Sequence, residues 1–139
     1  MRHARLALFG FGLFLCCLVG LADSGHARWL FRMVESVPGG DKIGHFILFG
    51  ILAFLVNLVM RATVVRWGGR AMLLGSIIVM TIVFAEEVSQ LFFASRTFEL
   101  LDLTADLAGI WVFGQLARWY VKREQVLALQ SARLGPRRR

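Results

Sequence analysis

Four stretches of this chain are apolar over close to the roughly 20 residues that a helix needs to cross about 30 Å of hydrocarbon at 1.5 Å per residue. They run from Leu6 to Ala22, Ile43 to Met60, Ala71 to Ala94 and Leu103 to Val121. A soluble domain of 139 residues has too little interior to hide a 58% apolar composition, whereas lipid accepts it. The expected fold is an all-α integral membrane protein with four transmembrane helices, forming a single membrane domain over residues 1–139.

Charge supplies the orientation. The net charge of +7 and pI near 11.0 would suit a nucleic-acid binder, but the basic residues are not interleaved with stacking aromatics on one segment, so no nucleic-acid partner is expected. Arg2, Arg5, Arg61, Arg66, Arg70, Lys122, Arg123 and Arg137 to Arg139 fall on one side of the spans, and Arg28, Arg32, Lys42 and Arg96 on the other. Positive charge favours the inner face, so both termini are expected in the cytoplasm. Residues 122–139 then form a basic cytoplasmic tail beside anionic lipid. The first run has a rival reading as a secretory signal, with Arg2 and Arg5 before it and Gly25-His26-Ala27 after it. Its apolar core is longer than a signal core, which favours a retained helix.

Between the first two spans, Trp29, Leu30, Phe31, Met33, Val34 and Val37 surround a polar stripe of Arg28, Arg32 and Glu35. That pattern predicts a short amphipathic helix in the outer headgroup layer, broken by Pro38-Gly39-Gly40. A plain connector is the bland reading; a lid over an outward cavity is the functional one.

Against this apolar background Asp41, His45, Glu86, Glu87, Gln90, Asp102 and Asp106 are expensive. A carboxylate facing lipid costs on the order of 3 kcal/mol on insertion scales, so such residues are functional suspects. The expected topology brings all of them towards the outer side. Asp41 and Asp102 open the second and fourth spans, with His45 and Asp106 one turn below them. Glu86 lies about 12 Å below the level of Ala94. Asp102, Ala105, Asp106 and Gly109 share one face, whose small residues favour close helix approach. Gly75, Val79, Ile82 and Glu86 are expected to form a matching stripe on the third span.

Blander roles compete. Asp41 and Asp102 suit helix N-caps, Asp106 suits a first turn, Lys42 can snorkel and Arg96 can end a helix. A buried ion-pair network, with Lys42 or Arg96 answering a carboxylate, would account for the set without a ligand. Cys16 and Cys17 are adjacent and read as apolar filler. There is no CxxC or HExxH pattern, so the sequence carries no strong metal signature and implies no cofactor. No internal repeat of the transporter kind is visible.

The order Asp41-Lys42-Ile43-Gly44-His45, then Glu87-Val88-Ser89-Gln90, then Ser95-Arg96 through Asp102, and Asp106-Leu107-Ala108-Gly109 resembles the VanZ-like family. That family's pattern is DKxxH, ExxQ, an Arg followed by D and by N or D, then Gly. The match covers residues 41–114. Ser95 stands where glycine is usual, and Asp106 where asparagine is common. The ExxQ match favours Glu87 over Glu86 as the residue facing the cavity. The resemblance implies a multi-pass protein of the bacterial cytoplasmic (inner) membrane. The founding member is associated with low-level resistance to the glycopeptide teicoplanin, which turns the expectation towards the cell envelope and antibiotic tolerance.

The leading expectation is a non-enzymatic protein whose outward polar cavity binds an amphiphile or a lipid-linked envelope precursor. Its ligand-binding residues would be Asp41, Lys42, His45, Glu86, Glu87, Gln90, Arg96, Asp102 and Asp106, with Trp29 and Phe31 holding the apolar part. The alternative is an intramembrane lipid-modifying enzyme using His45 as base or metal ligand, with Glu86 or Glu87 as acid or base and His45, Asp102 and Asp106 able to converge on a divalent cation. A proton-coupled exporter using Glu86 or Glu87 is a third class, weakened by the missing repeat.

Overall fold

The structure, a computed structural model, describes residues 2–25, 28–90, 92 and 99–134, apart from a few side chains within the helices and strands. It is mostly helical. In chain order, α1 is Arg2–Ser24, α2 Arg28–Glu35, α3 Gly40–Val59, β1 Val64–Trp67, β2 Arg70–Leu73, α4 Leu74–Gln90 and α5 Leu100–Leu134. Among the described residues three helices are long and apolar enough to cross a membrane, within Arg2–Ala22, Gly40–Val59 and Leu100–Arg133. With 17 residues, α4 reaches about 26 Å.

The strands were not foreseen. Ala71, Met72 and Leu73, expected to begin the third span, instead pair with Arg66, Val65 and Val64 in an antiparallel hairpin. Its turn is Gly68-Gly69, whose φ of 56° and 78° are the left-handed values a two-residue hairpin turn demands. The physical reason lies in the β-branched run on one side and the diglycine between the strands, a local signal stronger than the hydropathy of Ala71–Leu73. The hairpin is reached through a tight stop to α3. Arg61 and Ala62 both take positive φ, and the Ala62 amide returns to the Asn57 carbonyl at 2.7 Å.

α3 and α5 form the spine of the bundle. Successive contacts pair Lys42 with Asp102, His45 with Asp106, Phe46 with Gly109 and Gly50 with Phe113, so the two helices run parallel. Their closeness depends on glycine. A Cβ at Gly109 would strike the Phe46 carbonyl, and one at Gly50 would sit 2.7 Å from the Phe113 ring. α4 runs the opposite way and lays Gly75, Val79, Val83, Glu87 and Gln90 against the pair. Leu15, Phe49, Leu52, Ala53, Val79, Val83 and Ile110 make the apolar core, and α1 adds Leu8 and Phe11 to its side. Most of α1 is otherwise bare: Phe9 is 74% exposed and Leu6 62%. In a membrane that face meets lipid rather than water.

A short helix, α2, does form between the first two apolar runs, with Trp29 and Met33 exposed. α5 continues without a break through the expected tail to Leu134, about 52 Å of helix. Near the level where its apolar part ends, the Arg123 guanidinium stacks over Trp119 at 5.5 Å, the pairing of aromatic and cation found at membrane interfaces.

Candidate functional site

The N-terminal ends of α3 and α5 meet the C-terminal end of α4, and the polar residues gather there. Lys42 is the link at the rim. Its Nζ donates to Glu99 Oε2 at 2.7 Å and to Asp41 Oδ2 at 3.3 Å, and stands 2.9 Å from Asp102 Oδ1. A single ammonium thus ties α3 to the start of α5. Asp41 and Asp102 lie within the first turns rather than at the caps: Gly39 holds the N-cap position of α3, with no side chain capping that helix. Their carboxylates are directed at Lys42, and capping does not explain them.

One turn deeper, His45 Nδ1 lies 3.1 and 3.2 Å from the two carboxylate oxygens of Asp106. Its Nε2 is 3.9 Å from Asp41 Oδ1, which joins floor to rim. On α4, Gln90 Nε2 donates to Glu86 Oε2 at 2.9 Å and to Glu87 Oε1 at 3.2 Å. Exposure falls steadily along this set. The Asp41 and Lys42 side chains retain 40% and 32%, His45 15%, and Glu87 and Asp106 are fully enclosed at 0%. Polar groups therefore descend from an accessible rim to a closed floor, where ligand atoms of His45, Glu87 and Asp106 all lie within 4.8 Å of one another.

The inward stripe of α4 differs from the expected one. Gly75, Val79, Val83 and Glu87 are buried, whereas Ile82 is 49% exposed and Glu86 only half-buried. Spacings of three and four are both compatible with one helix face. Four repeated each time winds the stripe about 40° per step, and contact with both α3 and α5 selects that winding. Asp102, Asp106 and Gly109 share a buried face of α5 as read from the sequence. Arg96 and the side chain of Phe31 lie outside the described residues. Trp29 is 62% exposed on α2.

Two further polar residues take part in the helix contacts. Glu99, in the stretch between Ser95 and Asp102, supplies the shortest ion pair of the rim among the described residues. Asn57, a lone amide deep in the second apolar run, is fully buried and donates through Nδ2 to Ala53 O at 2.8 Å and to Ser76 Oγ at 3.0 Å. Its isolation in that run was the available signal.

Beside the polar floor, Met80, Thr81, Phe84, Leu103 and Leu107 line an apolar cleft of about 350 Å³ between α4 and α5. Phe84 and Leu103 stand three residues from Glu87 and Asp106, so cleft and floor adjoin along both helices. Comparison with known protein families, with curated proteins and with solved structures finds no match to this chain.

Proposed function

We propose that this is a VanZ-like protein of the bacterial cytoplasmic membrane, with four spans and both termini inside, that binds an amphiphile or lipid-linked envelope precursor in an outward polar cavity. The carrying observation is that three helices bring charged and amide groups to one end of an otherwise apolar bundle and leave an apolar cleft alongside. An amphiphile is the ligand class that presents both chemistries at once. Its head would meet Lys42, His45, Gln90 and the carboxylates, and its chain would lie along Phe84 and Leu107. The carboxylate excess favours an amine, a sugar or a metal-bridged phosphate over a bare phosphate. Glycopeptide tolerance would follow if the bound precursor is the antibiotic's target.

The topology half of this reading is supported by Arg61, Arg66 and Arg70 around the hairpin and by the basic stretch of α5, all at the end opposite the polar cavity. It requires α4 to cross despite its length, and α2 to lie in the outer headgroup layer. Single cysteines at Met33 and Arg66, in a background lacking Cys16 and Cys17, should react with an impermeant maleimide in opposite fashion. Met33→Cys is expected to label on intact cells and Arg66→Cys only after permeabilisation; the reverse pattern would overturn the orientation. For the binding half, a photoreactive lipid added to the purified chain should cross-link to peptides containing Phe84 or Leu107. Labelling spread evenly over α1 would instead mark those residues as ordinary lipid contacts.

One observation favours the enzymatic alternative. A buried carboxylate orients the His45 ring as it would a general base. Chemical change in a bound precursor, lost on His45→Ala while binding persists, would move the reading to an intramembrane lipid-modifying enzyme.

A further inference from the structure

Among the described residues, the polar end of the bundle holds more carboxylates than cations. Lys42 is already shared among Asp41, Glu99 and Asp102, so its single charge is outnumbered before Glu87 and Asp106 are reached. Those two carboxylates are enclosed at 0% exposure, one on α4 and one on α5, with His45 of α3 beside them. Gln90 engages one oxygen of Glu87, and the other, Oε2, is buried with no hydrogen-bond partner among the described residues. A native interior rarely leaves a carboxylate oxygen enclosed and unanswered, because its desolvation is uncompensated.

The geometry points to a divalent transition-metal site formed by His45, Glu87 and Asp106. A neutral imidazole and two carboxylates carry two negative charges, which one divalent ion cancels, so the loaded floor is electroneutral where the dielectric is lowest. An imidazole nitrogen in the donor set selects zinc, iron or manganese over magnesium and calcium, which prefer all-oxygen shells. Gln90 holds Glu87 from the side as an outer partner that fixes a ligating carboxylate. The neighbouring trio of Asp41, His45 and Asp102 is also close enough to ligate, but Lys42 occupies both of its carboxylates. The ion would join α3, α4 and α5 at one point and offer its remaining positions towards the rim. There it could meet a phosphate or hydroxyl of an amphiphile head and reconcile an anionic ligand with an acidic cavity. The inference rests on the polar cavity being a ligand site, and adds the metal to it.

The test uses the full chain, purified in detergent, stripped with chelator, equilibrated with zinc and passed through a desalting column before elemental analysis. The wild type should retain zinc stoichiometrically and unfold at a higher temperature when loaded. Glu87→Gln, nearly isosteric, and His45→Gln should both lose the ion, whereas Asn57→Ala, outside the site, should keep it. Failure of the wild type to retain zinc, manganese or iron(II), or retention by Glu87→Gln equal to wild type, would overturn the site. Lipid extracted from the same samples separates the two claims. A chain that retains lipid but no metal refutes this inference alone, and a chain that retains metal but no lipid refutes the amphiphile reading alone.

Discussion

Among the described residues the bundle has two buried polar regions, and they differ in kind. Towards one end of α3, Asn57 sits among glycines: a Cβ on Gly75 would fall 2.6 Å from Asn57 Oδ1, and one on Gly114 2.6 Å from Ser76 Oγ. The amide is neutral, both its nitrogen contacts are short, and the backbone closes around it. At the other end Glu87 and Asp106 are ionisable carboxylates beside the His45 imidazole, and the group grades upward into a half-exposed rim and adjoins an apolar cleft. Among the described residues both regions leave a buried oxygen without a hydrogen bond, Asn57 Oδ1 in the first and Glu87 Oε2 in the second. The orphan oxygen alone therefore does not mark a ligand site. The second region differs in holding ionisable groups at ligating distance beneath an exposed rim. A polar residue in an apolar helix can join helices, as Asn57 joins α3 to α4, or it can be kept for something that arrives from outside.

The comparison can be broken by substitutions whose effects on folding and on binding should part company. The largest effect is expected at Gly109, because any side chain there meets the Phe46 carbonyl. Gly109→Val should cost about 3 kcal/mol or more through overpacking and should disturb both regions together, read as loss of a monodisperse gel-filtration peak. Next comes Lys42→Met, which leaves Asp102, with its side chain 8% exposed, without its cation. A fully buried pair would lose several kcal/mol, but Lys42 is 32% exposed and water screens it, so a loss of about 1–2 kcal/mol in chemical denaturation is expected. Asn57→Ala removes the bond to Ser76 and should cost about 1 kcal/mol, the scale of interhelical hydrogen bonds in membranes. It should leave ligand retention within twofold of wild type. If Asn57→Ala abolished retention, the two regions would be one coupled network. The smallest effect is expected at Glu99, whose side chain is 47% exposed: Glu99→Gln should change stability by less than about 1 kcal/mol, with the difference shrinking as salt is added.

Much of this arrangement was legible in the chain before any coordinates. α1, α3 and α5 follow from run length and composition. The buried face of α5 follows from Asp102, Asp106 and Gly109 recurring at helical spacing, because small and polar residues that share a face must both turn from lipid. α4 was placed less well at both ends of the argument. Its first turn was assigned to Ala71, since hydropathy counts residues and does not see that Gly68-Gly69 returns the chain in a hairpin. Its inward face was assigned to Ile82 and Glu86, since a single helix does not reveal which of two adjacent stripes its neighbours will cover. Of the two adjacent glutamates, Glu87 is the one that the packing encloses. Glu99 was invisible for a different reason. It precedes a helix in a polar stretch, where an acid is unremarkable, and only the position of Lys42 on a different helix gives it a partner.

The central claim is that the His45, Glu87 and Asp106 end is reserved for a ligand and is not a structural ion network. Native mass spectrometry of the full chain released from membranes, comparing wild type with Glu87→Gln, tests it most directly. The expected result is a discrete lipid or metal adduct on the wild type that is missing from Glu87→Gln, with the variant remaining folded and monodisperse. No adduct on either protein, together with a lower unfolding temperature for Glu87→Gln, would contradict the claim and assign these residues to holding the helices together.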